Sequence, residues 1–296
     1  MTHLPAPGRT LVMGILNVTP DSFSDGGEHL NRNAAIAHGL RLLAEGADVI
    51  DVGGESTRPG AERSPVATEL ARVLPVVTEL AGRGAVVSVD TMRAAVAARA
   101  IEAGAAIVND VSAGLADPAM LDTVAGLGVG FVAMHWRGHS DVMQSLSDYD
   151  DVVGEVVSAL AERRDAALAA GVAADNLVLD PGLGFAKTAA HNWELLRHLD
   201  QLASLGKPLL IGASRKRFLG ELLAVSDVPR PPKQRDDATV ALTALLALKA
   251  VWGVRTHTVA AQRDAIAVAQ RLSLRFDGGQ PGPAGSPGRV VTKGGR

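Results

Sequence analysis

The amino-acid sequence predicts a single (β/α)8 barrel, and three observations carry that prediction. Eight short β-rich runs alternate with longer Ala/Leu-rich stretches along the 296 residues. Most of the runs are almost continuously apolar, the pattern of parallel strands covered on both faces. Polar and charged residues collect at the C-terminal end of run after run, which is where such barrels place their sites. A doubly wound open sheet, built from the same units, is the structural alternative.

The first run is LVMGILN (11–17); a Pro/Gly-rich loop follows, then residues 33–45, whose apolar positions fall at helical spacing. VIDVGG (49–54) leads through a second such loop into a helix over 65–80. VVSVDT (86–91), IVNDVS (107–112) and GFVAMH (130–135) come next, and a helix over 150–170 precedes LVLDPG (177–182). PLLIGAS (208–214) is the seventh run and VRTHTV (254–259) the eighth. Between these two, residues 239–252 are nearly all apolar and are expected to form a buried helix. The barrel is expected to span 9–276. Residues 1–8 and the Gly/Pro-dominated 277–296 are expected to be disordered, because they cannot bury enough apolar surface to offset their ordering entropy.

Composition narrows the partners. With 47% hydrophobic residues the chain can build one large core. A net charge of −3, with 21% charged residues, offers no basic footprint for nucleic acid. No apolar run reaches the ~18 residues of a membrane span. The opening MTHLPAPGRT lacks the charged-then-apolar layout of a signal peptide. The sequence has no cysteine, so disulfides and thiolate metal sites are excluded. A soluble, cytoplasmic protein without nucleic-acid or membrane partners is expected.

The strand ends carry the chemistry. In strand order they present Asn17, Gly53-Gly54-Glu55, Asp90, Asn109-Asp110, His135, Asp180, Ser214-Arg215-Lys216, and Arg255 with His257. One polar residue at a strand end is ordinarily a turn or helix cap. Capping does not explain all eight strands together. Ionised Asp accepts only, whereas Asn both donates and accepts. Asp90, Asn109 and Asp180 therefore suit a heterocycle with a guanidine-like donor edge. Arg58, Lys216, Arg255 and His257 form a cationic half suited to phosphate oxygens. The implied ligand is a polar heterocycle at one end and a polyanion at the other. No nucleophile–base pair suggests a covalent intermediate.

Two loops stand out by composition. Residues 17–27, NVTPDSFSDGG, hold two Asp, an Asn and a Phe, which suits a lid with a hard-cation ligand at its base. Residues 55–60, ESTRPG, follow the second strand directly. Gly53-Gly54 either lets backbone approach a ligand or fits a tight turn. His3, His29, His38, His139, His191 and His198 show no metal-like spacing, and His135 is either a site wall or a satisfied core residue. Arg163-Arg164 reads as a solvated helix face.

These pieces resemble the dihydropteroate synthase family from about Leu11 to Arg271. GILNVTPDSFSDGG (14–27) and IDVGGESTRPGA (50–61) resemble the family's two long signatures. SVDT (88–91), NDVS (109–112), DPGLGFAK (180–187), GASRKRFLG (212–220) and the R-x-H of 255–257 complete the set in the family's order. MHWRGHSD and DPGLGFAKTAAHNWELL look most like the actinobacterial branch.

The resemblance implies a barrel enzyme that condenses a dihydropterin diphosphate with para-aminobenzoate, giving dihydropteroate and diphosphate in folate biosynthesis. It implies a pterin pocket of Asp90, Asn109, Met134, Asp180, Lys216 and Arg255, with Asp90, Lys216 and Arg255 carrying the catalysis. Phe23, Thr57, Arg58, Pro59, Phe185 and Ser214 would form the aminobenzoate site, where sulfonamides would compete. Arg58, Arg255 and His257 would contact the diphosphate, and Asn17 would help to hold Mg2+. A homodimer built from late helices of the barrel is also implied. One residue departs from the pattern: Thr258 stands where the family usually has Asp after the histidine, which puts firm diphosphate binding in doubt. Two other readings share the pocket. A corrinoid-dependent pterin methyltransferase would need no diphosphate site, so the STRP, SRK and R-x-H pieces argue against it. A non-catalytic pterin-binding paralogue has only Thr258 in its favour.

Overall fold

The structure is a computed structural model and describes residues 4–19, 28–55, 63–139 and 143–273. The elements are β1 (Leu11–Asn17), α1 (Glu28–Ala44), β2 (Val49–Gly53), α2 (Val66–Gly82), β3 (Val87–Asp90), α3 (Ala94–Glu102), β4 (Ile107–Asp110) and α4 (Met120–Leu127). There follow β5 (Gly130–Met134), α5 (Val152–Ala169), β6 (Leu177–Asp180), α6 (Ala189–Arg197), α7 (Leu199–Ala203), β7 (Leu210–Ile211), α8 (Arg217–Leu222), α9 (Asp236–Leu248), β8 (Gly253–Thr256) and α10 (Val259–Ser273).

The strands pair in parallel in the order β6-β5-β4-β3-β2-β1-β8-β7. A parallel bridge between Leu179 and Leu209 joins the two ends, with Leu179 N–H donating to Pro208 O at 2.9 Å. The sheet is therefore closed, a (β/α)8 barrel rather than an open doubly wound sheet.

Alternation along each strand sorts its side chains into two cores. Val12, Leu16, Ile50, Val52, Val87, Val89, Val108 and Phe131 point outward and pack on the helices. Leu11, Met13, Val49, Ile107, Val132, Val178 and Leu210 point inward and fill the floor of the barrel. The next inward positions up the strands are Asp51, Asp90, Asn109, Met134, Asp180 and Arg255. The same period of two that fills the floor thus lays a polar ring directly above it.

Several expectations are corrected. Residues 4–8 are placed against the barrel: Leu4 packs on the floor cluster, and the Trp252 indole N–H donates to Pro5 O at 3.0 Å. Gly130 makes room for this, since a Cβ there would lie 2.9 Å from Leu4. Residues 1–3 and the tail 277–296 lie outside the described residues. The eighth strand stops at Thr256, and Val259 opens α10 instead, with Thr258 at the helix entry accepting from Gln262 Nε2 at 3.2 Å. The seventh strand shrinks to two residues; Pro208, with no N–H to donate to the ladder, delays its start, and the chain leaves the ladder after Ile211. α9 is not buried all round. Thr239, Thr243 and Leu246 face the barrel, whereas Leu245 and Leu248 are exposed. A helix on the outer layer of a barrel meets it along one stripe only.

Candidate functional site

The mouth at the C-terminal strand ends is organised around Arg255 on β8. Its Nε donates to Asp51 Oδ2 and its Nη2 to Asp90 Oδ2, each at 2.6 Å. Asn109 Nδ2 donates to the same Asp51 oxygen at 3.0 Å. Asp51 is fully buried, and its Oδ1 has no partner among the described residues. A guanidinium has five N–H groups, so three remain for a ligand after these bonds. The two carboxylates hold the Arg255 proton more firmly than usual, against the cost of burial. Burial in turn pushes the Asp90 carboxyl upward, opposed by the charge of Arg255.

Asp180 closes β6. Its Oδ1 accepts the Gly182 N–H at 2.7 Å, so half of the carboxylate does cap the following turn. The other oxygen lies toward Gly212 across the mouth, 3.8 Å from where a Cβ there would stand. Burial pushes the Asp180 carboxyl up to about 6, while the Gly182 N–H and the charge of Lys216 pull it down. Lys216 Nζ stands 4.1 Å above the centre of the Phe185 ring. Burial, followed by the charge of Arg255, pushes Lys216 down to about 8. Met92, Val111 and Met134, with Phe185 and Ala116 against them, form a small apolar wall beside these polar groups.

His257 corrects two readings. Burial and the nearby charges of Arg215 and Arg255 push it down to about 3, so before a ligand binds it is a neutral donor rather than part of a cationic half. Ser214 Oγ lies 2.9 Å from His257 Nδ1 and accepts the His257 backbone N–H at 3.2 Å. This is a hydroxyl beside an imidazole, which the sequence did not reveal. A hydroxyl both donates and accepts, so which of the two groups is the donor depends on the imidazole tautomer. The contact holds the imidazole in one orientation at the mouth.

Asn17 ends β1 with Gly53 beside it, where a Cβ would stand 3.5 Å from Asn17 Oδ1 and 3.6 Å from Asp90 Oδ2. The described residues contain no group of three or more His, Cys, Asp or Glu able to hold a metal. One carboxamide oxygen is nevertheless compatible with Mg2+, which keeps several waters and binds chiefly through substrate phosphates. Phe23, Thr57, Arg58 and Pro59 lie outside the described residues. The stems of the second loop are tied down: Ser64 N–H donates to Glu55 Oε1 at 2.8 Å, and Arg93 bridges Glu55 and the fully buried Glu69.

The pterin-binding enzyme family matches residues 13–257. The dihydropteroate synthase of Mycobacterium leprae is 55% identical over 259 residues, covering 87% of this chain and 91% of the relative. That of Synechocystis is 43% identical, covering 89% and 90%. The chain belongs to the dihydropteroate synthase family. Among solved structures, the Xanthomonas albilineans dihydropteroate synthase with 4-aminobenzoic acid superposes with a TM-score of 0.83 at 49% identity, covering 89% of this chain and 93% of that one. The Yersinia pestis dihydropteroate synthase in a sulfonamide complex gives 0.82 at 42% identity, covering 91% and 98%.

The fold brings Asp90, Asn109, Met134, Asp180, Phe185, Lys216, Ser214, Arg255 and His257 to one mouth. Sequence reasoning assigned no part to Asp51, although a lone Asp two residues above the inward Val49 in an apolar strand was a readable signal. It also missed Lys187, Arg93 and Glu69. A Lys after a Gly-rich loop and charges on helical segments carry no such signal, because their partners are distant in sequence.

Proposed function

We propose that this chain joins 6-hydroxymethyl-7,8-dihydropterin diphosphate to para-aminobenzoate with the residues of this mouth. The observation that carries the reading is the inward polar ring itself. It sets acceptors on β3, β4 and β6 against donors at the ends of β7 and β8. Asp180 and Asn109 would take the aminopyrimidinone edge of the pterin, with Met134 against the ring. Arg255, His257 and Arg58 would take the diphosphate, which leaves poorly unless its charge is neutralised. Phe23, Thr57, Arg58, Pro59 and Phe185 would receive the aminobenzoate, and sulfonamides would compete there. Ser214, which also meets His257 at 2.9 Å, would complete that site.

The methylene carbon–oxygen bond breaks with its electron pair leaving on diphosphate. The arylamine lone pair forms the new carbon–nitrogen bond, and the amine proton passes to solvent. The arylamine is neutral near pH 7, so no strong base is needed. Asp90, ionised against Arg255, would lower the energy of positive charge developing on the pterin. Mg2+, held in part by Asn17, would supply neutralisation of the leaving diphosphate. The protein's remaining tasks are ordering the substrates and keeping water from a reactive cation.

A homodimer through α9 and α10 belongs to the same reading, supported by the apolar residues those helices leave exposed. No helix among the described residues is long and apolar enough to cross a membrane, and a cytoplasmic location fits a sequence without cysteine. The deciding experiment measures diphosphate release with both substrates, with and without Mg2+. Release that requires both substrates and is abolished by chelation is expected. Tight pterin diphosphate binding without release would instead favour the non-catalytic reading of Thr258.

A further inference from the structure

The turn that follows β6 carries three left-handed residues within five positions: Gly182 (φ 66°), Gly184 (φ 77°) and Ala186 (φ 47°). Left-handed backbone is costly for a residue with a side chain, so the Ala186 conformation must be imposed by its surroundings. Asn192 Oδ1 takes the Gly184 N–H at 2.7 Å, and Phe185 N–H donates to Gly182 O at 3.1 Å. The remaining restraint is Lys187. Its Nζ lies 3.2 Å from Gly182 O, 3.1 Å from Phe185 O and 2.8 Å from His135 Nδ1. His135 is buried and pushed down to about 2, so it is neutral, and its Nδ1 offers a lone pair. Burial pushes Lys187 down to about 7, with the charge of Asp180 opposing; in its charged form an ammonium has three N–H groups, and here each has an acceptor. Nothing is left over for a ligand, so Lys187 is not itself a substrate contact.

The loop it holds carries Phe185, whose ring lies under Lys216 and against Met92, Val111 and Met134. We propose that Lys187 is a positioning residue. By tying both carbonyls of the loop to His135 on the neighbouring strand end, it sets where the Phe185 ring stands, and so shapes the aminobenzoate side of the site rather than the pterin side. This rests on the reading above that Phe185 lines the aminobenzoate site.

The test compares the KM values for the two substrates. Lys187→Met keeps the stem and removes the donors. It should raise the KM for aminobenzoate relative to that for pterin diphosphate by about tenfold, less than the roughly hundredfold that a 1 Å misplacement can cost. The sequence has no cysteine, so Lys187→Cys can be aminoethylated in denaturant and refolded. This rebuilds a lysine analogue at that position alone, and the same treatment of the parent chain serves as control. The aminoethylated protein should return the KM ratio to within about twofold of the parent, while the acetamide-capped protein should not. Both KM values rising together, or no rescue by aminoethylation, would overturn the proposal. So would a failure of both the Met and the acetamide-capped proteins to fold, which would make Lys187 a folding residue. Phe185→Leu separates the two levels. If it leaves the aminobenzoate KM unchanged, the site reading has failed. If it raises that KM and Lys187→Met does not, the positioning role has failed.

Discussion

Asp180 commits one oxygen to the fold and leaves the other facing the mouth. The Gly182 N–H on Oδ1 means that a carboxamide would preserve the turn, since it still offers an acceptor there. Asp180→Asn should therefore fold with an unchanged Tm. Its NH2 would then face the N–H donors of the pterin edge, and losing that charge-assisted pairing costs on the order of 2–4 kcal/mol. Pterin affinity should fall by roughly thirty- to a thousand-fold. Calorimetry showing parental affinity, or a loss explained by unfolding, would reject the role. The same carboxyl sets an acid limb. Burial raises it from 3.8 to about 6, and the bound donors favour its ionised form, so affinity should weaken as pH falls through about 6. Lys216 sets the alkaline limb, losing its charge as pH rises through about 8. The folding contribution of Asp180 runs separately. Its raised pKa stabilises the fold below about 3.8, and that contribution is lost as pH rises through about 6. An acid limb of binding unchanged in Asp180→Asn would assign the limb to Asp90, the other carboxyl that burial pushes upward. Asp180 was legible because it sits where a strand ends, and Lys216 because it lies in the loop that follows the seventh run. Lys187 was not, because its meaning lies in His135, 52 residues away.

At the scale of elements, seven of the eight β-rich runs became strands starting within a residue of the expected position, because hydrophobic runs bounded by Gly, Pro and Asp determine strand cores well. Strand ends were less legible where hydrogen-bond supply decided them, as at Pro208 and at the entry to α10. The Gly53-Gly54 pair shows the limit sharply. The sequence allowed a ligand approach or a tight turn, and the structure gives the two residues different jobs. A Cβ on Gly53 would meet Asn17 and Asp90 at ordinary contact distance. A Cβ on Gly54 would stand 2.6 Å from Val73 Cγ2 and 3.2 Å from the Glu69 carbonyl oxygen, so this glycine lets the chain leaving β2 run close against α2. Gly54→Ala should cost about 1–3 kcal/mol of stability through overpacking. Gly53→Ala should leave stability nearly unchanged. Paired urea melts measure the difference, and equal midpoints would refute it.

At the scale of the whole molecule, the barrel's inner and outer surfaces follow from one alternation, but its outermost surface does not. Inward positions give floor and site, outward positions give the helix-facing core, and the helices then have a second face whose partner the sequence does not name. On α9 and α10, which pack together, that face includes Leu245 at 61%, Leu248 at 47%, Val268 at 60% and Leu272 at 73% exposure. Scattered exposed leucines are ordinary, but apolar pairs at helical spacing on adjacent helices suit a self-complementary twofold interface. The near-wholly apolar composition of α9 misled the expectation of complete burial, because one stripe packs on the barrel and the other, with Leu245 and Leu248, stays exposed. The double variant Leu245→Asp with Val268→Asp places charge in the middle of that face, where a dimer would have to desolvate it. Sedimentation should show a dimer for the parent chain and a monomer for the variant. A parent that sediments as a monomer at micromolar concentration, or a variant that remains dimeric, would remove these helices from the interface.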